Sequence, residues 1–159
     1  MTIPPAARHQ VERFREIFAA PKAKPRRQGE GALSDAIREA LALTCPDLLL
    51  MRNAQCAVVK SNRMVRGGLG NGSADLVGVL RPSGRWVALE VKVPGEIPTT
   101  DDLLRAHNRG ARATAAQRHM MAQRVWLEDV RAFGGFAAYV SSVEEARAAI
   151  ARARTGASS

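Results

Sequence analysis

The sequence predicts an α/β fold in which a mixed β-sheet carries a central β-hairpin and is flanked by helices. Three observations lead there. Segments of helical and of strand period interleave along the chain without the strict alternation of a doubly wound parallel sheet. Two apolar stretches between about Ala74 and Val93 are divided by the turn signal Pro82–Gly84, so the middle of the sheet is antiparallel. The chain has 159 residues, enough for one domain with a buried core.

Each element has a local signal. Residues 6–19 place Val11, Phe14, Ile17 and Phe18 at the spacing of a short amphipathic helix, which Pro21 ends. "PKAKPRRQG" then reads as a basic linker, so residues 1–29 precede the main domain. A second helix is expected from about Gly31 to Thr44, with Leu33, Ile37, Ala40 and Leu41 inward and Pro46 closing it. "LLLMRN" and "QCAVVK" follow as strands. "RMVRGGLGNGS" has four glycines between Gly67 and Gly72 and no periodicity, which predicts a mobile loop. Beyond the hairpin, "PGEIPTTDDLLRAHNRGARAT" reads as a long polar insert. Helical period resumes from about Ala115 to Ala132 and stops at Gly134–Gly135. "FAAYV" is a further strand and "VEEARAAIARA" the last helix. The main domain thus spans 30–153, and 154–159 form a flexible tail.

Charge narrows the function classes. A net charge of +9 and a pI near 10.9 favour a polyanionic partner, nucleic acid or an anionic membrane surface, with solubility alone as the bland alternative. No run of about 18 apolar residues exists, so no membrane span is expected. "MTIPPAARHQ" has no apolar signal core, and an intracellular, cytoplasmic protein is expected. Cys45 and Cys56 make no CxxC pair and the three histidines are scattered, which argues against structural zinc. With two tryptophans, four phenylalanines and one tyrosine, base stacking is at most a minor mode of recognition.

The chemistry concentrates in the hairpin, "GSADLVGVLRPSGRWVALEVK". Alternation puts Trp86, Ala88, Glu90 and Lys92 on one face and Val87, Leu89 and Val91 on the other. A turn centred between Pro82 and Ser83 pairs Leu76 with Leu89, Val77 with Ala88, and Asp75 with Glu90. Two carboxylates that close repel each other, and each tends to take up a proton. A hard divalent cation, Mg²⁺ or Mn²⁺, removes the conflict, because it accepts one or two carboxylates and keeps several waters. Lys92 on the same face could then neutralise charge developing on a phosphate. The plain structural alternative makes Asp75 a turn cap and Glu90–Lys92 an ion pair on an edge strand.

Asp75, the hairpin and Glu90-Val91-Lys92 together resemble the signature of the PD-(D/E)XK nucleases. The flanking segments resemble the VRR-NUC branch, the virus-type replication-repair nucleases. Glu30 with Leu33, Ser34, Ile37 and Leu41 is similar to that branch's first helix, and "MRN" around Arg52 to its strand-borne arginine. "GSADLVGVL" resembles its G-x-P-D-L-x-G strand, "GRWVALEVK" its second strand, and "AQRVWLEDVRAFGGFAAYVSSVEEA" its closing segment.

The match runs from about Glu30 to Ile150 and implies a restriction-endonuclease-like core. It further implies a metal-dependent deoxyribonuclease, bacterial or phage-encoded. Mg²⁺ or Mn²⁺ would be held by Asp75, Glu90 and the Val91 carbonyl, with Glu30 completing the set. Lys92 would be catalytic and Gln123 accessory. Stand-alone relatives of this type resemble structure-specific endonucleases and junction resolvases, and junction cleavage would imply a symmetric homodimer. Ala74 departs from the usual proline, the insert after Val93 is longer than the branch leads one to expect, and residues 1–29 fall outside the match.

The remaining cations suit DNA. Lys60, Arg63 and Arg66 lead into the glycine loop, which is either a flap against DNA or a plain connection. It lacks the Gly-Lys-Ser/Thr of a P-loop, so no nucleotide cofactor is expected. Arg105, Arg109, Arg112 and Arg118 line the insert and the following helix as backbone contacts, or form a solvated face. His107 and His119 are read as surface or DNA-contact residues, and Trp86 and Trp126 as core. Two other functions compete: a non-catalytic DNA-binding protein that keeps the fold, and a sequence-specific restriction-type endonuclease.

Overall fold

Helix α1 (Glu30–Thr44) opens with an acidic residue against the positive end of its dipole and turns Ser34, Ile37 and Leu41 inward. The computed structural model describes residues 29–54, 57–60, 63–66 and 68–156, and for 57–60 and 63–66 the backbone alone. The helix expected over 6–19, its linker, Cys56 and residues 157–159 lie outside the described residues. After α1 come β1 (Leu48–Arg52), β2 (Ala57–Lys60), β3 (Arg63–Arg66), β4 (Leu76–Leu80) and β5 (Arg85–Val91). Helix α2 (Thr100–Arg109), a 3₁₀ turn (Gly110–Arg112), α3 (Ala115–Ala132), β6 (Phe136–Val140) and α4 (Val143–Arg154) complete the order.

Four strands form one mixed sheet in the order β1-β4-β5-β6, and β2 pairs with β3 apart from it. The β4–β5 register is Leu76↔Leu89 and Val77↔Ala88, as the apolar pattern predicts. β1 is antiparallel to β4, whereas β6 lies parallel to β5. A parallel neighbour needs a crossover, and the chain supplies it through α2 and α3.

The two faces bury different things. Toward α1 and α4, Leu76, Val87, Leu89 and Val91 pack with Ile37, Leu41, Phe136 and Ile150. Full burial of each large side chain there is worth about 1.5–3 kcal/mol. Toward α3 the sheet presents Ala74, Val77, Ala88 and Ala137, against which Leu127, Trp126 and Val130 rest. Both ends of α3 are written locally. Thr114 and Gln117 form a capping box, and the Gly134 and Gly135 amides return to the Arg131 and Val130 carbonyls. Arg85 ties these parts together, donating to the Gly134 carbonyl at 3.2 Å and the Ala153 carbonyl at 2.9 Å.

The structure corrects four expectations. Arg63–Arg66 is not loop but strand β3, whose partner β2 supplies the hydrogen bonds that a glycine-rich reading overlooks. The glycine segment is held rather than mobile where it nears the hairpin, because Gly72, Ser73 and Ala74 are buried. The polar insert contains α2, started by a capping box in which Asp102 replaces the more familiar Glu or Gln. Arg154 is no tail residue: it ends α4 and forks onto Asp47 at 2.6 and 2.8 Å.

Candidate functional site

Alternation along β5 turns Glu90 to the α3 side at the middle of the sheet, where it is 1% exposed. A carboxylate in such surroundings needs partners. Oε1 has two, accepting from Lys92 Nζ at 2.9 Å and from Gln123 Nε2 on α3. Oε2 is buried and has no hydrogen-bond partner. β5 lies between β4 and β6, so the Glu90–Lys92 pair is interior and the edge-strand alternative fails.

Asp75 immediately precedes β4, and its Oδ2 accepts the Val91 amide at 3.1 Å. Val91 therefore joins the site through its backbone, with its side chain in the core on the opposite face. Lys92 Nζ also donates to Glu30 Oε1 at 3.3 Å, drawing the start of α1 to the end of β5. The helix, the hairpin and α3 thus bring Glu30, Asp75, Glu90, Lys92 and Gln123 together from four separate stretches of chain.

The electrostatics follow from burial. Burial, and then the charge of Asp75, push the Glu90 carboxyl up to about 7 in spite of Lys92. Burial also raises Asp75, against the Val91 amide and the Lys92 charge. Burial pulls Lys92 down, but the hydrogen bond and charge of Glu90, with Glu30, outweigh it and leave the ammonium above its usual range. The result is a firmly charged lysine beside two carboxylates that resist being ionised together.

Among the described residues no group of three or more His, Cys, Asp or Glu gathers as a metal cluster. Glu30, expected to complete the set, pairs with Lys92 at 3.3 Å. Two carboxylates remain, and they fit a hard divalent ion that keeps several of its own waters. Glu90 Oε2 is the orphaned atom that such an ion would satisfy.

No family model, curated protein or solved structure matches the chain.

Residues that sequence reasoning missed hold Asp75 in place. The Asn53 side chain donates to Ser73 Oγ at 2.7 Å and the Ala74 carbonyl at 2.9 Å, and accepts the Leu69 amide at 3.2 Å. Its own amide donates to the Asp75 carbonyl at 2.7 Å. Gly72, at φ +81°, presses so closely on α3 that a Cβ there would lie 2.5 Å from the Ala122 carbonyl. The available signals were the Asn after a strand and the Gly-Ser before the aspartate, both ordinary loop residues until the fold joins them.

The other expected contacts are scattered. Arg52 is paired with Asp35 at 3.0 Å, and Arg105 with Asp102 at 2.7 Å. Arg118 donates to the Ala113 carbonyl. Arg109 and Arg112 are exposed, without an ion pair among the described residues. Lys60 and Arg63 stand opposite each other on the β2–β3 hairpin, and Arg66 opposite Ala57. His107 and His119 are exposed, with no hydrogen bond to the site. Trp86 is not core: it is 36% exposed and, with Trp126 and the 92% exposed Phe133, lines an open groove of about 450 Å³.

Proposed function

We propose that this protein is a Mg²⁺- or Mn²⁺-dependent nuclease that hydrolyses DNA phosphodiester bonds, a structure-specific endonuclease of the PD-(D/E)XK type. One observation carries the reading. Glu90 is buried within reach of the Asp75 charge, one oxygen clamped by Lys92 and Gln123 and the other left without a partner. As a purely structural feature this is unfavourable, since buried carboxylates without full partners destabilise a fold. Around a cation it is an advantage. A helix, three antiparallel strands, a helical crossover and a parallel strand also agree with the restriction-endonuclease-like core that the sequence resembles.

Asp75, Glu90 and the Val91 carbonyl would hold the ion. When bound, it supplies a Lewis acid that acidifies water and offsets phosphate charge. The chain's own residues do the rest. Lys92, kept charged by Glu90 and Glu30, offers an ammonium to the negative charge that grows on the phosphate during displacement. Gln123 fixes the rotation of the Glu90 carboxylate from α3. Arg109, Arg112 and the cations of the β2–β3 hairpin supply backbone contacts, which set affinity and salt dependence rather than sequence choice. Cleavage of a four-way junction would need two matched incisions, and hence a symmetric pair of chains.

The test is incubation with Mg²⁺ or Mn²⁺ on plasmid, single-strand, flap and four-way junction DNA, beside Asp75→Ala and Lys92→Ala. Metal-dependent cleavage that both variants abolish is expected. Binding without cleavage on every substrate would indicate a non-catalytic DNA-binding protein instead. Discrete sequence-dependent fragments would indicate a restriction-type enzyme.

A further inference from the structure

Three buried side-chain oxygens among the described residues lack a hydrogen-bond partner: Ser34 Oγ, Glu90 Oε2 and the Tyr139 hydroxyl. Two of them belong together. β5 and β6 run parallel with Glu90 directly opposite Tyr139. Opposed residues on strands about 4.8 Å apart project to the same side of the sheet. Tyr139 accordingly packs on the α3 side beside Ala88, Ala137 and Val130, the side from which Gln123 reaches Glu90. An acceptor without a donor and a donor without an acceptor are enclosed in neighbouring positions.

We propose that the Tyr139 hydroxyl donates to Glu90 Oε2 through one enclosed water, and is a positioning residue for the carboxylate that holds the cation. The inference rests on the metal reading above. The hydroxyl is buried, so it acts through Glu90 and not on a substrate. A phenol keeps its proton at neutral pH and is therefore a donor. The cations Lys92, Arg124 and Arg131 also bear on it, and Arg124 is itself paired with Glu128. A carboxylate oxygen has two lone pairs, so a bond from that water leaves one for the ion. With Oε1 gripped by Lys92 and Gln123, a contact on Oε2 fixes the last rotation of the group, as partners of metal-holding carboxylates generally do.

Tyr139→Phe removes one oxygen and keeps the ring. Mn²⁺ affinity, measured by calorimetry on wild type, Tyr139→Phe and Asp75→Ala, should fall roughly tenfold or more in Tyr139→Phe. The melting temperature of the metal-free Tyr139→Phe protein should fall or hold. A rise would mean that an unpaired hydroxyl had been removed, and would overturn the proposal. Val130→Ala disturbs the same packing without touching a polar atom. It should lower the melting temperature yet leave Mn²⁺ affinity unchanged, and an equal loss of affinity there would assign the effect to packing. Wild type that binds Mn²⁺ with Tyr139→Phe unchanged sinks this inference alone. Wild type that binds no Mn²⁺ sinks the metal reading and this inference with it.

Discussion

Glu90 shows at the residue scale how one side chain can be both well held and poorly placed. Its Oε1 has two donors, yet its position in the sheet pushes the carboxyl from an ordinary 4.5 to about 7. The raised value means that the metal-free folded state binds a proton more tightly than the unfolded chain does. Between pH 4.5 and about 7 the native state therefore carries more protons, and stability falls as pH rises through that window. The full effect is about 3 kcal/mol, present below the unfolded value and lost above the folded one. Asp75 is shifted in the same direction and adds to it. Urea midpoints of metal-free protein should decline from pH 5 to pH 8, and Mn²⁺ should restore most of the loss at pH 8. A metal-free profile that is flat or rising would remove the argument that these carboxylates are in conflict.

At the scale of elements, the site depends on close backbone contacts that only glycine permits. A Cβ on Gly78 would lie 2.1 Å from the Leu49 carbonyl, backbone against backbone, where β4 pairs with β1. Gly78→Ala should destabilise the protein by about 1–3 kcal/mol through forced separation of these strands. Gly72→Ala adds a strained φ to a clash with α3, and hydrogen exchange of the Ser73 and Asp75 amides should speed up more in it than in Gly78→Ala. Equal exchange in the two variants would count against a wedge specific to Asp75. The same contacts explain where sequence reading failed. The segment "GGLGNGS" looks permissive because the groups that hold it, Asn53 on Leu69 and Ser73 and the Ala122 backbone against Gly72, lie far away in sequence. Helix α2 was missed for a different reason: its sequence is polar nearly throughout, and Ala106 is its one buried residue. By contrast, α3 and β6 were legible to the residue, since caps, periodicity and the Gly-Gly stop all lie within them.

For the molecule as a whole, the net charge of +9 supplies the long-range attraction and the fold decides which cations are available to express it. Among the described residues no helix is long and apolar enough to cross a membrane. Arg52 and Arg105 are partly neutralised by Asp35 and Asp102, while Arg109 at the end of α2 and Arg112 in the turn after it stand exposed. If DNA is the partner, the logarithm of affinity against the logarithm of salt concentration should lose roughly 0.9 of slope per phosphate contact removed. The double variant Arg109→Ala/Arg112→Ala should therefore flatten the slope by roughly 1.8, and Arg105→Ala by clearly less. An unchanged slope in the double variant would move the DNA footprint off this part of the surface.

The sequence by itself determined the hairpin register, the face shared by Ala88 and Glu90, and the helices whose caps are local. Those features depend on alternation and short-range hydrogen bonds, which a chain carries in its own order. It also marked Asp75, Glu90, Lys92, Glu30 and Gln123 as one group, through their resemblance to a spaced pattern. Only the tertiary structure decided how they meet. It turned Glu30 onto Lys92, gave Glu90 Oε1 two donors and left Oε2 with none, and put Tyr139 opposite it from the far end of a crossover. The physical reason is that desolvation and the pairing of buried charge are properties of the packed interior. No stretch of sequence contains that interior until the sheet and α3 enclose it.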